Sequence, residues 1–108
     1  MDMEAAIQKL IADMDEDYRK YQASSRRAGI NDEILDNMYQ EFVDSTRIKY
    51  GSKYIRIFKN SSVNTFVVNT DKDKKFKRGD ILKPAGYATP ARNKARGNVF
   101  TGYTIRWT

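Results

Sequence analysis

The residues with the most capacity for chemistry are cations, and they fall into two clusters. The first is Lys72, Lys74, Lys75, Lys77 and Arg78; the second is Arg92, Lys94 and Arg96, interleaved with Ala91, Asn93 and Ala95. In an extended segment alternate residues share one side, so the second cluster reads as a comb of three cations. Its small neighbours would let a phosphate backbone approach closely, and Gly97 loosens the chain beyond it. Tyr87, Tyr103 and Trp107 are the candidate stacking surfaces for unpaired bases. The expected chemistry is phosphate neutralisation with stacking. Plainer readings compete with it. Lysine-rich turns also protect sheet edges, and Tyr103 and Trp107 alternate with Ile105 in a way that suits a core-facing strand. An acidic protein partner would also answer to these charges.

Catalysis has little to work with. The 108 residues contain no histidine and no cysteine, which removes the commonest general base, the commonest metal ligand and every thiolate. Asp, Glu, Lys, Tyr and Ser remain, but they form no recognisable acid–base constellation, so no enzymatic activity, no cofactor and no bound metal are expected. Asp13, Asp15, Glu16 and Asp17 look like a ligand set in one dimension. On a helix they point in different directions, and a solvated face is expected instead. Zinc-finger spacing, aromatic RNA-binding motifs, a helix-turn-helix and a phosphate loop are all missing from the sequence.

The charge is distributed unevenly. Residues 1–50 hold seven Lys/Arg against eleven Asp/Glu, a net of −4, whereas residues 51–108 hold thirteen against three, a net of +10. Such a swing points to an anionic partner for one half, or to halves that steer each other. No segment approaches the run of apolar residues that a membrane span needs. The opening residues, acidic where a signal peptide is basic, predict a cytoplasmic protein with no membrane partner.

Two helices are expected to carry the acidic half, over residues 3–28 and 32–46. Ile7, Leu10, Ile11, Met14, Tyr18 and Tyr21 recur at helical spacing, as do Ile34, Leu35, Met38, Tyr39, Phe42 and Val43. Gly29 suits a left-handed stop, Asn31 an N-cap, and Ile30 with Leu35 the two ends of a hydrophobic staple. From about residue 50 the pattern changes to β-branched and aromatic residues. Strands are predicted over 53–58, 63–68, 76–83, 98–100 and 103–107, with a turn at Asn60-Ser61-Ser62 and a long loop from Pro84. Arg78-Gly79-Asp80 reads as a strand-entry turn.

The fold class expected is therefore α+β: an N-terminal helical hairpin packed on a small five-stranded antiparallel sheet or a partly closed SH3- or OB-like barrel. One domain is expected over 1–108, with an acidic helical subregion at 1–48 and a basic β-rich one at 50–108. The junction near 46–52 is the natural boundary between them.

The stretch from residue 53 to 68, Phe76-Lys77-Arg78-Gly79-Asp80-Ile81-Leu82-Lys83, residues 89–100 and the ending Tyr103-Thr104-Ile105-Arg106-Trp107-Thr108 together resemble a small, mostly uncharacterised protein family of tailed bacteriophages. The resemblance covers about residues 50–108. It implies a phage-encoded accessory protein acting in the host bacterial cytoplasm, and carries over no activity and no site residue. Two function classes follow: a DNA- or RNA-binding module with little sequence specificity, or an inhibitor of a host protein acting through the helical hairpin or the loop at 84–97.

Overall fold

The computed structural model describes residues 2–105. Helix α1 spans Met3–Arg27 and opens on Asp2, whose Oδ1 accepts the Ala5 N–H at 2.8 Å. It ends where Gly29 takes φ +95°, a conformation that favours glycine. Helix α2 spans Asp32–Asp44 behind the Asn31 cap, which accepts the Ile34 N–H at 3.1 Å. The two helices run antiparallel. Gln22 Nε2 donates to the Leu35 carbonyl at 2.8 Å, Arg26 pairs with Asp32 at 2.6 Å, and Arg19 pairs with Asp36.

The two apolar stripes fare differently. Ile7, Leu10, Ile11 and Met14 are buried as their spacing predicts, joined by Met3 and Ala6. On α2 only Leu35 and Phe42 are buried, while Ile34 is 51% and Met38 46% exposed. A contact with one neighbouring helix seals a narrow seam rather than a broad stripe. Ile30 is also exposed, so the expected staple does not cover the inter-helix turn, and Tyr21 points to solvent.

Four antiparallel strands follow, in the order β1 (Arg47–Tyr50), β2 (Tyr54–Lys59), β3 (Ser62–Val68) and β4 (Ile81–Leu82). The segment expected as a boundary is thus strand β1, paired along its whole length with β2. Asn60 and Ser61 turn the β2–β3 hairpin with φ +51° and +67°, the mirror-image turn that matches strand twist. Ile57 pairs with Thr65 and Phe58 with Val63, so Asn64 is the extra residue of a bulge.

The rest departs from a five-stranded sheet. Strands β5 (Gly97–Asn98) and β6 (Gly102–Tyr103) form a separate two-stranded sheet, tied to the first through an Asp80–Asn98 bridge. No barrel closes among the described residues. The strand expected over 76–83 shrinks to Ile81–Leu82, because side chains take the preceding backbone donors. Asp73 accepts the Lys75 and Phe76 N–H groups at 2.9 Å, and Asp80 accepts that of Lys77 at 2.9 Å. Gly79, at φ +95°, completes the turn and lets Phe100 and Asn98 approach where a Cβ would collide. The strand expected over 103–107 ends at Tyr103, and its last two residues lie outside the described residues.

Packing follows from strand alternation. Ile55, Ile57, Val67 and Ile81 face α1 and form one core with Met3, Ala6, Ile7, Leu10, Ile11 and Met14. Helix and sheet therefore share a single hydrophobic unit. The opposite sheet face carries Phe66, Val68 and Leu82, covered by Phe76 from the long connection after β3. Lys59 is 3% exposed and crosses to the helices. Its ammonium pairs with Asp15, donates to Thr46 Oγ1 at 2.6 Å, and lies 4.4 Å from the Phe42 ring centroid. The acidic run of α1 is accordingly not all solvated. Asp15 holds Lys59, and Asp13 accepts both Lys9 at 2.8 Å and the Tyr103 hydroxyl.

Candidate nucleic-acid interface

The comb does not stand free. Arg92 donates to Asp73 through both terminal nitrogens, at 2.9 and 3.0 Å, and to the Tyr54 hydroxyl at 2.5 Å. Its guanidinium also lies 5.0 Å from the Phe76 ring centroid. The Asp73 side chain is 2% exposed, and the guanidinium with two backbone N–H groups holds its carboxyl well below the usual carboxylate range. Arg92 is thereby committed to pinning the long connection onto the sheet. Lys94 and Arg96 line a separate concavity with Lys83.

The other cluster is split as well. Lys72 and Lys74 join Lys53, Ser52 and Thr70 around the Asp73–Arg92 pair. Lys75 donates to the Arg92 carbonyl at 2.6 Å, and Arg78 lies over Phe100. Lys77 is exposed beside the Asp80 turn. Of the aromatic candidates, Tyr103 is engaged with Asp13, with burial and that carboxylate pushing its hydroxyl pKa up. Trp107 lies outside the described residues. Tyr87 is 67% exposed.

Tyr87 belongs to a site that clustering in the sequence did not reveal. On the sheet face away from α1, β2 reads Tyr54, Arg56, Phe58, an alternation of ring, cation and ring. Directly opposite on β1, Arg47 faces Phe58 and Lys49 faces Arg56. The Arg56 guanidinium lies 5.7 Å from the Phe58 centroid and 5.6 Å from that of Tyr87, and the two rings are 5.9 Å apart. Arg47, Ile48, Lys49, Phe58, Ser61 and Tyr87 line an open groove without a carboxylate. Among the described residues, Arg47, Lys49 and Arg56 form no ion pair.

Such an arrangement attracts anions. Like charges directly opposite on neighbouring strands destabilise a sheet, and the Lys49–Arg56 pair is of that kind. The sequence did hold the signal, in Arg47-Ile48-Lys49 and Tyr54-Ile55-Arg56-Ile57-Phe58. It becomes a site only once the register places the two segments side by side. No family model, curated protein or solved structure matches this chain.

Proposed function

We propose that this protein binds nucleic acid, non-enzymatically and with little sequence specificity, through the open β1–β2 face of its sheet, where the basic half begins. The observation that supports it most is the opposed Lys49–Arg56 pair, flanked by Arg47 and by the rings of Phe58 and Tyr87, with no carboxylate in the groove. Lys53, Lys72 and Lys74 extend the positive surface beyond the other end of β2. No helix among the described residues is long and apolar enough to cross a membrane. A role as a phage accessory protein in the host cytoplasm rests on the resemblance of the C-terminal half alone.

Salt dependence tests this reading. Each phosphate neutralised adds about 0.9 to the logarithmic slope of affinity against salt on duplex DNA, and about 0.7 on single strands. Replacing Arg47, Lys49 and Arg56 with Ala should flatten that slope by up to about three units. Lys72, Lys74 and Lys75 replaced together remove the same charge elsewhere and should flatten it less. Equal losses would mean diffuse attraction rather than a site, and wild-type protein that binds no DNA or RNA at low salt would end the proposal. Arg92 is unsuitable for this test, because its loss strands the Asp73 carboxylate.

A second reading has an observation of its own. Ile34 and Met38 are exposed on an acidic helix, a surface suited to a basic host protein with an apolar contact. If nucleic acid fails to bind, Ile34→Ser with Met38→Ser is the variant to compare with wild type in host-protein capture.

A further inference from the structure

We infer that the groove between β1, the β2–β3 hairpin and Tyr87 takes unpaired nucleic acid in preference to duplex, with a base stacked on Tyr87 and phosphates at Arg47 and Lys49. This rests on the nucleic-acid reading above and names the form of the ligand. Tyr87 is 67% exposed, yet the loop that carries it is closed at its neck. Pro84 bridges Pro90, and the Ala85 and Gly86 N–H groups donate to the Thr89 carbonyl at 2.9 and 3.0 Å. A large apolar ring is thus held out in solvent on a tied loop, where its π-face is available at little ordering cost. Arg56 lies beside both Tyr87 and Phe58, 5.6 and 5.7 Å from the two centroids, so ring and cation are presented together.

Duplex nucleic acid cannot use these rings, because its bases are already paired and stacked inside the helix. It would meet only the cations. An unpaired strand offers a π-face with every base, and stacking of this kind is tolerant of sequence. The cations fit the same ligand. Arg47 and Lys49 are two residues apart on one strand, about 6.7 Å of rise, comparable with the phosphate step of an extended, unstacked strand. Ser61, at the hairpin tip beside Phe58, adds a hydroxyl to the groove wall.

Fluorescence anisotropy on the full chain tests this with three probes of equal length: labelled oligothymidine, labelled oligouridine and a blunt DNA duplex. At moderate salt at least one single strand should bind about tenfold tighter than the duplex, and the two single-stranded arms report any preference for DNA or RNA. Tyr87→Ala should weaken single-strand binding roughly 10- to 100-fold while leaving duplex binding nearly unchanged. Tyr87→Phe should restore it, since stacking needs the ring and not the hydroxyl. Duplex binding as tight as the tighter of the two single strands, or a Tyr87→Ala variant that keeps the preference, overturns the inference and leaves nucleic-acid binding standing. Absence of salt-dependent binding to all three probes overturns both.

Discussion

On the sheet face turned to α1, Lys59 is 3% exposed and tied to Asp15, Thr46 and the Phe42 ring. On the opposite face Arg47, Lys49 and Arg56 sit together with no carboxylate partner among the described residues. All four cations come from the paired strands β1 and β2. The difference is what surrounds them. A cation taken out of water must be paired and hydrogen-bonded or it destabilises the fold, so Lys59 works as architecture. Cations left in water beside one another cost a little stability through repulsion, and that small cost is relieved when an anion arrives. Arg92 shows that charge clustering in sequence does not distinguish these roles, since it stands in the comb yet is spent on Asp73.

Breaking the buried side of the comparison should have the largest effect. Asp15→Ala strands the Lys59 ammonium and should cost about 3–5 kcal/mol in urea unfolding. Asp15→Leu combined with Lys59→Met should recover most of that loss. A single variant as stable as wild type would mean that Lys59 reaches water and that the two faces are not different in kind.

Leu35→Ala, at a side chain only 1% exposed, should destabilise by about 2–5 kcal/mol. Ile34→Ala, one residue away and half exposed, should stay within about 0.5 kcal/mol. Thermal melts of the two variants check the contrast, and similar losses would show that the exposed stripe is packed in solution.

Acid should act through Asp73. Its carboxyl is held below the ordinary range in the folded protein, whereas in the unfolded chain it titrates near 3.9. The stability it contributes is therefore present above about pH 4 and lost as pH falls further, because unfolding then takes up a proton. Asp13, also lowered by Lys9 and Tyr103, adds in the same direction. Asp73→Asn should give a shallower acid limb when urea unfolding is followed against pH. Parallel limbs for variant and wild type would remove Asp73 from the account.

The exposed side should respond least in stability and most in binding. Lys49→Glu turns a like-charged cross-strand pair into an opposite one and should stabilise the free protein by about 0.2–1 kcal/mol, while weakening nucleic-acid binding. A variant that loses stability, or that binds as well as wild type, would place the anion elsewhere.

Local signals decided much of this molecule. The caps at Asp2 and Asn31, the stop at Gly29 and the apolar spacing along α1 are short-range, and each could be read from neighbouring residues. The same holds for the β2–β3 hairpin, where Asn60 and Ser61 supply the turn between two β-branched runs. Five strands in one sheet or barrel are expected and do not form among the described residues, because Asp73 and Asp80 take backbone donors that propensity alone assigns to a strand. Strand β1 was hidden in the expected boundary, since four residues carry little pattern until a partner strand fixes their register.

The candidate site divides the same way. Sequence by itself determined that the C-terminal half is cationic, that histidine and cysteine chemistry is absent, and that Tyr87 sits in a loop. Only the tertiary structure decided which cations are occupied. Ion pairing depends on distance in space, and Asp73 with Arg92, and Asp15 with Lys59, are brought together by chain segments 19 and 44 residues apart.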